Sequence, residues 1–176
     1  MSETPKTIED LFRAASSLVG TKREDAQIEL LWKYVDAAPF SERLRFLQSV
    51  LSDENANDLV RIEAMKAAAE ARTEMSDQEK LLFGSLLITL SKKSADYLTR
   101  LWAVRQMQWF VDVSVVLNQA VRILVDESAA IDIRIAALSS IERGGPNPSS
   151  ISLLKSFAPG SELGGYASRV LEDWQR

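Results

Sequence analysis

The sequence predicts an all-α fold in which about five antiparallel helix pairs stack side by side as an α-solenoid. Three observations lead there. Apolar residues recur at helical spacing from residue 7 almost to the end, and no stretch of useful length alternates apolar and polar as a half-buried strand does. The 176 residues include only 7 Gly and 5 Pro, few for a fold of many short strands and turns. One short pattern is also written three times: DLVRIEAM at 58–65, DYLTRLWAV at 96–104 and DIRIAAL at 132–138.

Residues 1–6 are polar and read as a disordered tail; residues 7–176 read as one helical-repeat domain. Thr7 and Asp10 frame a capping box for IEDLFRAASSLV, and Gly20 suits the position just past its end. A second helix over 23–37 aligns Ile28, Leu31, Trp32 and Val35, which places Trp32 in the core, and stops before Pro39. Ser41 is the expected cap of a third helix carrying Leu44, Leu47, Val50 and Leu51. After the polar loop SDENAN a fourth helix covers 58–72.

Ser76 and Glu79 form a second capping box, for a fifth helix over 77–91. The sixth is expected over 95–110 and the seventh over 112–125, continuing from it after a bend, since no Pro or Gly marks the boundary. The eighth covers 130–143. GGPNP at 144–148 is the clearest break in the chain, and two shorter helices follow, near 149–157 and 162–174.

The three copies align on Arg61, Arg100 and Arg134, which stand 39 and 34 residues apart. Three residues after each Arg is Ala (Ala64, Ala103, Ala137). Four after is a large apolar residue (Met65, Val104, Leu138), and an acid precedes each (Asp58, Asp96, Asp132). A helix pair repeating at this period is the mark of a stacked helical array. The Ala lets neighbouring helices approach closely, the Asp is placed to cap a helix start, and the Arg is placed to pair with that acid or with its neighbour in the stack.

These residues resemble HEAT-type repeats, in which a second helix opens with Asp, Val, Arg and then small residues. The resemblance covers about 41–143. Helices at 7–37 match only as a helix pair, and the last pair has Glu172 where the pattern wants Ala. The resemblance implies a superhelix whose second helices line a concave face.

On that face, the positions two, five and nine after each Arg share one helical stripe. They are Glu63, Lys66 and Glu70 in the first copy, Trp102, Arg105 and Trp109 in the second, and Ala136, Ser139 and Arg143 in the third. Two tryptophans flanking an arginine have the composition of a binding hot spot, which Glu63, Lys66, Glu70 and Arg143 would rim with charge. The alternative is that both rings pack against a neighbouring helix.

Composition narrows the chemistry. There is no Cys and no His, so disulfides, thiolate metal sites, Cys nucleophiles and imidazole bases are all excluded. No metal or cofactor site is expected. No secretory leader and no membrane-length apolar run is visible, so a cytoplasmic chain that avoids membranes is expected. The formal net charge of −4 disfavours nucleic acid and suits a basic protein partner. The expectation is therefore a non-catalytic protein-interaction module: an adaptor, a regulatory subunit or an immunity-type inhibitor that binds a protein or peptide in its groove. The HEAT-like resemblance also implies an alternative, a DNA glycosylase holding a damaged base with Trp102, Trp109 and Asp112.

Overall fold

A computed structural model describes residues 7–15, 21–92 and 96–176. Every regular element among them is helical, with no strand. The helices are α1 (Ile8–Ala15), α2 (Thr21–Ala37), α3 (Phe40–Ser52), α4 (Asp58–Ala71), α5 (Asp77–Leu90), α6 (Tyr97–Met107), α7 (Ser114–Val125), α8 (Ile131–Gly144), α9 (Pro148–Lys155) and α10 (Glu162–Asp173). The chain divides into two compact units, one ending at Thr73 and the other beginning at Glu74. The tail at 1–6 and the helix end at Gly20 fall outside the described residues.

In the first unit α1 packs on α2, and α4 packs on both α2 and α3. The sequence of α4 explains its central place. Ala64, Met65, Ala67 and Ala68 are all buried, and short side chains on two faces let one helix approach two neighbours closely. Leu31 and Val35 of α2 and Leu44, Leu47 and Val50 of α3 close that core.

In the second unit consecutive helices form hairpins: α5 with α6, α7 with α8, and α9 with α10. The second helices pack in order, α6 on α8 and α8 on α10, and α5 packs on α7. Gly84 permits that last approach, since a Cβ there would lie 2.6 Å from Val116 Cγ2. The repeat's apolar positions are core in both units: Ala64, Ala103 and Ala137 are all fully buried, as are Met65 and Val104.

The repeated arginines do a different job from the expected pairing with an acid. Arg134 donates from Nε to the Leu124 carbonyl at 2.9 Å, and Arg100 from Nε to the Ser91 carbonyl at 3.2 Å. Arg61 donates from Nη2 to the Asp53 carbonyl. Each acceptor lies at the C-terminal end of the preceding helix, where carbonyls lack helical donors and the dipole favours a cation. Such an acceptor is already in place, part-buried at Ser91 and Leu124 and exposed at Asp53, so the arginine satisfies it and ties the two helices of a hairpin together.

The Asp positions are equally specific. Asp96 caps α6, accepting from the Thr99 amide at 2.9 Å. For α4 the cap is Asn57, which accepts from Leu59, and Asp58 is the first helical residue. Asp132 lies inside α8 and accepts from the Tyr97 hydroxyl of α6.

Local signals account for most helix ends. Thr7 and Asp10 exchange the bonds of a capping box, as do Ser76 and Glu79. Ser41 does not cap α3: Pro39, with its extended backbone, occupies the cap position and Ser41 is already helical. A 3₁₀ turn over Gln108–Phe110, in which Phe110 is buried, separates α6 from α7, which begins at Ser114 rather than at 112. Gly145 ends α8 with φ of +81°, a conformation costly for any residue with a Cβ. Asn147 caps α9 and Ser161 caps α10.

Candidate functional site

The exposed face of α6 holds the most distinctive chemistry in the second unit. Leu101, Val104 and Met107 turn inward, so the side chains at 98, 102, 105 and the following 109 turn outward. The spacing of four, three and four residues puts them along one stripe. Leu98 is 47% exposed and Trp109 36%, Arg105 is exposed, and Trp102 is half-buried.

Both indoles carry a guanidinium. Arg105 sits over the Trp102 ring, 5.2 Å from its centroid, one turn along the same helix. Arg143 comes from the last turn of α8 and lies 3.9 Å from the centroid of Trp109. The packing of α8 on the 3₁₀ turn Gln108–Phe110, which carries Trp109, makes this second pair possible. A guanidinium is flat and weakly hydrated, so it covers an aromatic face cheaply and keeps its N–H edge available for hydrogen bonding. Neither arginine forms an ion pair with any carboxylate among the described residues. The patch therefore offers apolar area together with two unneutralised, pre-positioned cations.

The other expected residues lie in the first unit. Glu63 is only 21% exposed at its side chain. One carboxylate oxygen accepts from the Trp32 indole N–H at 3.1 Å and the other from Lys66 Nζ at 2.6 Å. Trp32, expected in the core, keeps part of its surface in solvent, and its N–H finds a polar partner as a partly buried indole's usually does. The Trp32–Glu63 bond joins α2 to α4, which makes Glu63 a structural tie. Glu70 is exposed near the end of α4.

Leu98 joins the site beyond the expected residues, and its place four residues before Trp102 is a legible signal. The bond between Trp32 and Glu63 had no such signal, since 31 residues separate them. Equally unforeseen is an open cleft of about 470 Å³ in the first unit, walled by Phe12, Phe46, Arg13, Arg23 and Asn57.

Several ionisable groups elsewhere serve helix ends, pairs within one helix and inter-element ties. Lys80 of α5 lies 3.7 Å from Asp77 and 3.5 Å from Asp112. The Ser76 hydroxyl and amide, both donating to Glu79, hold its carboxyl below the usual glutamate range. Glu29 is lowered by its hydrogen bond and ion pair with Lys33. No group of three or more potential metal ligands gathers among the described residues, and no helix there is long and apolar enough to cross a membrane. No protein-family model matches the chain, and no curated protein matches it in sequence.

Proposed function

We propose that this chain is a non-catalytic protein-interaction module that takes a protein or peptide partner on the α6 stripe of Leu98, Trp102, Arg105 and Trp109, extended by Arg143. The observation that carries this reading is the pair of indole–guanidinium contacts, in which exposed Arg105 and Arg143 lie over half-buried Trp102 and exposed Trp109. Tryptophan and arginine are the residues whose truncation most often removes binding energy at protein interfaces. An adaptor, a regulatory subunit or an immunity-type inhibitor would each use such a surface. We further propose that the hairpins belong to a HEAT-like solenoid. The in-order packing of α6, α8 and α10 and the recurring arginine-to-carbonyl tie support that reading.

The glycosylase alternative draws less support. Holding a base requires an open indole face, and Arg143 covers one face of Trp109. The carboxylate it would use, Asp112, is engaged by Lys80.

The test is the double substitution Trp102→Ala with Trp109→Ala. It is expected to abolish retention of partners that the wild-type chain holds while shifting the melting temperature by only a few degrees. A collapse of the folded state, or unchanged partner retention, would sink the proposal.

A further inference from the structure

The α6 stripe also specifies the sign of its partner. Resting on the interaction-module reading, we infer that the partner segment is acidic: a peptide or exposed helix whose carboxylates meet Arg105 and Arg143 and whose apolar side chains cover Leu98 and Trp102. This reverses the expectation from net charge. Most of the chain's acidic excess lies in residues 1–73, and residues 74–176 are close to balanced. Contact recognition is set by charges within a Debye length, about 8 Å at physiological ionic strength, and not by the whole chain's total.

Three features favour carboxylates. Both guanidiniums are exposed and lack an ion pair among the described residues, so the protein has not spent them on its own fold. Each is steadied by a ring, which lowers the entropy lost when its N–H fork engages a planar carboxylate. Leu98 and the rims of the indoles adjoin them, so an occupant must supply apolar surface beside its charge. A nucleic acid supplies phosphates in a regular row and bases that need open ring faces. Here there are two cations, one of them already lying on the face of Trp109.

The probe is a displayed library of random 16-residue peptides, selected on the full chain at physiological salt. Selected peptides are then measured by fluorescence anisotropy against the wild type, Arg105→Glu with Arg143→Glu, Arg105→Gln with Arg143→Gln, and Trp109→Ala. Circular dichroism melts confirm that each variant folds. A short single-stranded DNA is titrated in parallel.

The expected result is a selected set rich in Asp and Glu with interspersed Leu or aromatic residues. Affinity should fall roughly tenfold or more in the glutamine pair, and the glutamate pair should select lysine-rich peptides instead. Recovery of neutral or basic peptides that Trp109→Ala weakens would overturn the acidic partner while leaving the module reading in place. Peptides indifferent to every substitution would overturn both. Tight DNA binding that is lost in the glutamine pair would also overturn the acidic-peptide proposal.

Discussion

Arg134 on α8 reaches back to the carbonyl of Leu124 in the last turn of α7, with its Nε 2.9 Å from that oxygen. Ten residues of sequence separate them, and they are the latch of one hairpin. Arg100 with Ser91 and Arg61 with Asp53 repeat the arrangement. Arg43 of α3 does something similar for α2, donating from Nη1 to the Val35 carbonyl at 3.4 Å.

Because the acceptor is a helix-terminal carbonyl, Arg134→Ala leaves it without its donor. A hydrogen bond from a charged group contributes about 1.5–3 kcal/mol, and Arg134 is half-buried. Urea denaturation of Arg134→Ala should show a loss of about that size with an unchanged m-value. Arg134→Lys should recover only part, since an ammonium cannot present a fixed Nε–H at the same point. A loss within error of zero would show that the latch is ornamental.

Gly84 tests the close contact of α5 and α7. Gly84→Ala drives a methyl into Val116, and overpacking of this kind costs about 1–3 kcal/mol. It outweighs the roughly 1 kcal/mol that alanine gains over glycine within a helix. Trimming the neighbour as well, with Val116→Ala, should make the double variant more stable than the sum of its single losses. A thermal-denaturation cycle across the four proteins reads the coupling directly.

The α5 capping box makes stability depend on acidity. A carboxyl held below its ordinary value binds its proton more weakly in the folded chain than in the unfolded one. The stabilisation from Glu79 is therefore fully present above the ordinary glutamate value of 4.5 and is lost as pH falls through the lower folded-state value. The melting-temperature gap between wild type and Glu79→Ala should be open at pH 7 and should close in acid. Ser76→Ala, which removes the hydroxyl that accepts from the Glu79 amide, should cost about 1 kcal/mol at neutral pH.

Glu63 separates structural from binding roles. Glu63→Ala strips the indole N–H of Trp32 of its acceptor and should destabilise by about 1–3 kcal/mol. Peptides selected on the α6 stripe should bind that variant with unchanged affinity under folding conditions. Weakened peptide binding with unaltered stability would place Glu63 in the recognition surface instead.

Much of the helical organisation is legible in the sequence. Capping boxes at Thr7 and Ser76 involve groups three residues apart, and the burial of Ala64, Ala103 and Ala137 follows from periodicity. Such signals are local, and local chemistry is what a linear sequence records. Two boundaries differ from the local signals: at α3 the extended backbone of Pro39 takes the cap position in place of the hydroxyl of Ser41, and α6 gives way to a 3₁₀ turn at Gln108–Phe110 that no Pro or Gly marks.

By itself, then, the sequence determined that the chain is helical, where most helices begin and end, which residues the repeat buries, and that no thiol or imidazole chemistry is available. Only the tertiary structure decided what the repeated arginines hold, that Glu63 belongs to Trp32, and that Arg143 lies across Trp109. Each of these pairings joins different helices, and the partner of a charged side chain is chosen by which group lies within a few ångströms once the helices have packed. Helical period records the face a residue occupies and leaves open which neighbour will be found there.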